Sequence, residues 1–90
     1  MPRVPSPAAA HIGRQIAEAR KRYSYTQDQL AAATGIDSSN IRGYESGRAM
    51  VSVHTLVRIA DALAVTPGDL LDGLTVDLFD KGATGERRAG

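Results

Sequence analysis

Between Thr26 and Gly47 the chain reads TQDQLAAATGIDSSNIRGYESG, and no other window limits the fold as tightly. Thr26 with Gln29 three residues later has the spacing of a capping box, which opens a helix. Gly35 supplies a tight turn, Asp37 stands where the next helix needs a cap, and Gly47 closes that helix. Leu30, Ile36, Ile41 and Tyr44 must all point inward, and small Ala31 must let two helices approach closely. Together these residues specify two short helices, the second over about 37–46, laid across one another at a turn. One face of the second helix is left uncovered.

The flanks extend a helical pattern. Ser6-Pro7 predicts a helix start, with serine as N-cap and proline at the first helical position. Ala10, Ile12, Ile16, Ala19 and Tyr23 recur at three- and four-residue steps, giving helix 1 an apolar stripe. Arg20-Lys21-Arg22 places three cations in its last turn, where the helix dipole favours them; a solvated helix end and a phosphate contact both fit. Ser52 caps a fourth helix whose face is Val53, Leu56, Val57, Ala60 and Leu63. Thr66-Pro67-Gly68-Asp69 opens a short fifth helix that buries Leu70 and Leu71. Short connections predict an all-α, compact five-helix bundle spanning 6–73. Residues 1–5 are expected to be a disordered arm. Residues 74–80 alternate apolar and polar, which fits a strand, a helical extension or an extended arm. Residues 81–90 are expected to be a disordered tail.

Ninety residues fit one small domain. The chain has no cysteine, which excludes disulfides and thiolate metal sites. No apolar run approaches the roughly 18 residues that span a membrane, and prolines interrupt the first seven residues, unlike a secretory signal. A cytoplasmic protein is expected, with no membrane partner. His11 and His54 stand apart from any acidic cluster at metal-ligand spacing, and no glycine-rich phosphate loop or Ser/His/Asp set is present. These absences predict no metal, no cofactor and no enzyme. Residues 1–61 carry eight Lys/Arg against five Asp/Glu, whereas residues 62–90 carry three against five. The basic half coincides with the helix-turn-helix, whose open face suits the major groove of duplex DNA.

The segment from Ile12 to Leu71 resembles the phage-repressor-like helix-turn-helix family, also called Cro or XRE. The residues that carry the likeness are Ile16 and Arg20, then Thr26-Gln27, Leu30-Ala31, Gly35-Ile36, Ile41 and Tyr44-Glu45-x-Gly47. Leu56, Ile59-Ala60, Leu63, Val65 and Leu70 complete it without insertion or deletion. The resemblance implies a lambda-repressor-like fold and a sequence-specific transcriptional regulator of double-stranded DNA, nucleoid-associated in a bacterium or phage. Ser38, Ser39, Arg42 and Gly43 are the candidate base readers, at i, i+1, i+4 and i+5 of the second helix. Serine both donates and accepts, so it reads ambiguously. Arg42 can bond O6 and N7 of guanine, contact a phosphate, or stay solvated. The resemblance sets Gln27 against the DNA backbone, with Thr26, Asn40, Ser46 and Arg48 as further backbone candidates. It also implies a structural ion pair between Arg20 and Glu45.

Some residues depart from the family pattern. Gly43 stands where a longer reading side chain is usual, and costs about 1 kcal/mol of helix propensity relative to alanine. Asp37 brings a negative charge towards phosphate. Ser24-Tyr25 replaces a common Gly-Leu, and Met50-Val51-Ser52 lacks a common proline. One reading helix buries little surface, so a homodimer on half-sites roughly 34 Å apart is expected. The resemblance implies contacts in helix 5 or just after it, at Leu70, Leu71, Leu74, Val76, Leu78 and Phe79; the apolar segment from Leu74 to Phe79 would alternatively fold back over the core. The competing reading is a protein-interaction module or antitoxin of the same fold, favoured by Gly43 and the modest charge.

Overall fold

The computed structural model describes the backbone of residues 6–83 and the side chains of residues 6–80. The helices are α1 (Pro7–Arg22), α2 (Gln27–Thr34), α3 (Ser38–Ser46), α4 (Val53–Ala62), α5 (Pro67–Leu70) and α6 (Val76–Ala83), with no strand among the described residues. The expected all-α bundle is therefore present with six helices in place of five. The additional one, α6, begins inside the 74–80 segment and continues to Ala83, so residues 81–83 are helical and the expected tail cannot start at 81. The expected arm at 1–5 and the remainder of the tail lie outside the described residues.

Local signals set most helix ends. Ser6 accepts from the Ala9 amide at 2.9 Å with Pro7 first in α1. Thr26 and Gln29 form the reciprocal capping box of α2, and Thr66 with Asp69 forms another at α5. Ser52 accepts from the Thr55 amide at the start of α4. Gly35 and Gly47 end α2 and α3 with φ of 74° and 82°, in the left-handed region that glycine enters without steric cost. Asp37 departs from expectation. It occupies the N-cap position of α3 but makes no capping hydrogen bond, because its carboxylate is engaged by Ser39.

Helix α1 packs against α3, α5 and α6, while α2 packs against α3 and α4. Ile16, Leu30, Ile41, Ile59 and Leu70 are the largest fully buried side chains, each burial worth roughly 1.5–3 kcal/mol. Ile36, Tyr44 and Tyr25 pack on this core from its edge. The α1 crossing over α3 is unusually close at Gly13, where any Cβ would collide with the Tyr44 carbonyl and lie 2.8 Å from the Glu45 carbonyl oxygen.

Two apolar stripes are narrower than their spacing predicts. Tyr23 falls beyond the end of α1 and is exposed, its ring meeting that of Tyr25 edge-on at 4.8 Å. Val53 and Val57 of α4 are also exposed, Val53 by 77%. The inward face of α4 is formed by Leu56, Ile59 and Ala60, so the true stripe is rotated away from the two valines. Valines four residues apart satisfy a helical period on any side of a helix, and periodicity alone does not say which side meets the core.

Candidate nucleic-acid interface

The outer surface of α3 is built from the inside out. Ile41 is fully buried and Tyr44 half-buried, which fixes the rotation of the helix about its axis. That rotation leaves Ser39, Asn40, Arg42 and Ser46 exposed, with Ser38 half-buried at the rim. Arg42 has 51% of its side chain exposed and lies 4.0 Å from Asp28 Oδ1, across the α2–α3 angle. An exposed pair at this distance is worth about 0–1 kcal/mol, so the guanidinium can leave it for a nucleic acid.

Gly43 is the exception among the candidate readers. It lies on the outer side of α3 yet is buried. A Cβ built on it would touch Arg48 Nη2 at 3.6 Å and Ala49 Cβ at 3.8 Å. The chain doubles back there because the Arg48 and Ala49 amides both donate to the Gly43 carbonyl. Gly43 therefore presents little open surface of its own, lying beneath Arg48 and Ala49. Ser46 is also engaged: its hydroxyl donates to the Gly43 carbonyl at 3.1 Å and accepts from Arg48 Nη1 at 3.1 Å. Ser46 orients Arg48, which remains exposed beside the reading surface.

Beneath this surface a polar knot joins four segments. Glu45 receives Arg20 Nε at 2.7 Å and Arg20 Nη2 at 3.0 Å, a two-point grip, while Arg20 Nη1 donates to the Tyr25 carbonyl at 2.8 Å. The expected ion pair is thus present, with side-chain exposures of 12% and 7%. The hydrogen bond to Glu45 raises the Arg20 pKa above its ordinary value, helped by the carboxylate charge and opposed by burial. The knot has a fourth member that the sequence did not suggest. Gln27 Nε2 donates to Glu45 Oε1 at 3.0 Å, so the amide at the start of α2 is held in orientation by α3. Thr26 is exposed, and its oxygen accepts from the Gln29 amide at 3.0 Å while its own hydrogen stays available to an outside acceptor.

Other residues stabilise this surface from behind. Thr34 is buried; its hydroxyl donates to the Leu30 carbonyl at 2.8 Å and accepts from the Ile36 amide at 3.2 Å. Arg58 of α4 donates to the Thr34 carbonyl at 2.6 Å, closing the end of α2. On the far side, His11 Nε2 meets the Asp72 carbonyl at 2.6 Å and ties α1 to the turn before α6. An isolated glycine within a helical stripe is a signal for Gly13. The Thr34–Arg58 and His11–Asp72 contacts carry no comparable local signal, since each joins residues distant in sequence.

The candidate dimer residues divide. Leu70 is 1% exposed and belongs to the core, so it is not open to a partner. Leu71 and Leu74 are half-buried and pack on that same core. Leu78 is half-buried, whereas Val76 and Phe79 are 71% and 46% exposed. Among the described residues no helix is long and apolar enough to cross a membrane, and no group of His, Cys, Asp or Glu is arranged to hold a metal ion.

The helix-turn-helix model HTH_3 matches residues 16–70. The chain is 37% identical over 59 residues to the cryptic phage CTXphi transcriptional repressor RstR of Vibrio cholerae, covering 66% of this chain and 53% of that protein. It is 38% identical over 56 residues to an uncharacterized transcriptional regulator in the ATPase CF(0) region of Rhodospirillum rubrum, covering 62% of this chain and 52% of that one. The chain thus spans about half the length of these two curated relatives. The restriction-modification controller protein C.AhdI from Aeromonas hydrophila superposes with a TM-score of 0.67 and 31% identity, over 69% of this chain and 94% of that one. SinR, a master regulator for biofilm formation solved in complex with DNA, superposes with a TM-score of 0.66 and 29% identity, over 68% and 98%. The match over residues 16–70, more than half of the chain, places it in the HTH_3 helix-turn-helix family of Cro/XRE type.

Proposed function

We propose that this protein is a sequence-specific regulator of transcription that inserts α3 into the major groove of duplex DNA. The carrying observation is the open outer face of α3, where Ser39 and Arg42 project from a helix whose other side is locked by Ile41. In this reading Ser38, Ser39 and Arg42 meet base edges, and a bidentate Arg42–guanine pair contributes about 1–3 kcal/mol of discrimination. Thr26, Gln27, Asn40 and Arg48 surround those readers and contact phosphates, setting the register of the helix. Gln27 keeps one amide hydrogen beyond the one given to Glu45, and its orientation is already set before DNA arrives. Ser46 acts through Arg48.

A homodimer on a two-fold site follows from the small area of one reading helix. The open apolar residues Val76 and Phe79 of α6 are the candidates for its contact, with Leu78 at the edge. A cytoplasmic, nucleoid-associated location accompanies this function. The relatives named as a phage repressor and a transcriptional regulator, and the SinR complex with DNA, support the reading.

A second reading has its own observation. Val53 and Val57 are exposed one turn apart on α4, with Met50 exposed shortly before it, apolar side chains that a protein partner would cover. In that case the chain is an interaction module or antitoxin. Salt titration separates the two. Binding to a duplex selected from a random pool should weaken linearly in log–log form with salt, with a slope set by the number of phosphates neutralised. A chain that selects no duplex, or binds with a flat salt response, overturns the DNA reading.

A further inference from the structure

The two hydroxyls at the start of α3 are not equivalent. Ser39 Oγ donates to Asp37 Oδ2 at 2.5 Å, and both residues are exposed on the outer surface of the helix-turn-helix. That separation lies at the short end of the range for a hydroxyl bonded to a carboxylate, about 2.5–2.7 Å. Asp37 makes no capping bond to α3, so its carboxylate faces Ser39 and not the helix amides.

We infer that Asp37 fixes the Ser39 hydroxyl as a hydrogen-bond acceptor, so that this position of α3 selects a base edge bearing an amino group. A serine hydroxyl has one hydrogen and two lone pairs. Once the hydrogen is committed to Asp37, only lone pairs face outward. The major-groove edges of guanine and thymine offer acceptors alone, whereas adenine N6 and cytosine N4 carry donors. The second carboxylate oxygen of Asp37 adds another acceptor and a negative charge, which disfavours an acceptor edge further. Three positions on, Arg42 is donor-only. The same face therefore asks for opposite base chemistry at two neighbouring points, an amino group near Ser39 and acceptors near Arg42. Asp37 acts as a positioning residue, through Ser39.

This inference rests on the DNA-binding reading, and the test separates them. Duplexes are selected from a random pool with the 90-residue chain and with its Ser39→Ala and Asp37→Ala variants. The expected result is one base pair, selected by the wild type, at which both variants relax. At that position adenine is replaced by purine, which lacks the N6 amino group, or cytosine by 2-pyrimidinone, which lacks the N4 amino group. The wild type should lose about 2- to 10-fold in affinity, the range of one ordinary hydrogen bond, and Ser39→Ala should lose nothing further. Replacing adenine by 7-deazaadenine should leave wild-type binding unchanged. Sensitivity to the 7-deaza base, insensitivity to amino deletion, or an Asp37→Ala chain with unaltered preference each overturns the inference while leaving DNA binding intact. A wild-type chain that selects no duplex overturns both.

Discussion

Gly13 of α1 and Tyr44 of α3 are in backbone contact: the tetrahedral position where a Cβ would stand on Gly13 is already filled by the Tyr44 carbonyl oxygen. The crossing of these two helices sets where α3 sits on the molecule, and it tolerates no side chain at that point. Gly13→Ala is expected to force the helices apart and cost about 2–3 kcal/mol, as overpacked cores do. A domain of this size should then melt on the order of 10–20 °C lower, measured by circular dichroism. An unchanged melting temperature would refute the close crossing.

Glu45 holds Arg20 and Gln27 at once, so its removal should act on both stability and binding. Glu45→Ala strands a mostly buried guanidinium and is expected to cost about 3–5 kcal/mol. Replacing both partners with apolar residues of similar volume should recover much of that loss. Chemical denaturation of the two variants checks the pair. A double variant as unstable as Glu45→Ala would mean that the charges themselves, and not the unpaired remainder, carry the effect.

Gln27 and Arg42 should separate under the proposed DNA reading. Gln27→Ala is expected to weaken binding about evenly on all duplexes, since phosphate contacts carry no sequence information. Arg42→Ala should weaken the preferred duplex by about 1–3 kcal/mol and relax one position. Fluorescence anisotropy on a panel of single-base variants distinguishes them. Reversal of the two patterns would exchange the roles.

Asp28 is 83% exposed in its side chain and stands 4.0 Å from Arg42. Its charge opposes incoming phosphate and competes for the guanidinium. Asp28→Asn is expected to tighten duplex binding about 2- to 5-fold at low salt, the scale of an exposed pair, with the gain fading as salt is added. Weaker binding by Asp28→Asn would show instead that Asp28 buttresses Arg42 for reading.

Ser24 sits at φ 63°, where a side chain is strained. The family's usual glycine at this position thereby acquires a physical reason. Ser24→Gly should stabilise the chain by about 0.5–1 kcal/mol, the left-handed penalty less the extra freedom of glycine in the unfolded chain. Equilibrium unfolding measures it, and a destabilised variant would contradict the turn geometry.

Much of the fold was legible because its signals are local. Ser6, Thr26, Ser52 and Thr66 each begin a helix through a hydrogen bond to an amide three residues on. Gly35 and Gly47 end helices through their own φ angles. Ile16, Leu30 and Ile41 are buried as their helical spacing requires. The same locality explains the failures: Asp37 resembles a cap in sequence, but a hydroxyl two residues away takes its carboxylate.

By itself, the amino-acid order determined the starts of α1, α2, α4 and α5, the glycine stops of α2 and α3, the inward Ile16, Leu30 and Ile41, and the charged pair Arg20–Glu45, because each depends on spacing along one chain or on a family pattern. Tertiary structure alone decided that Val53 and Val57 face outward, that Gly43 lies under Arg48, and that Gln27 is gripped by Glu45. Those outcomes depend on how helices rotate and cross once close-packed. That choice is made by the fit of all the side chains together, and no single segment contains it.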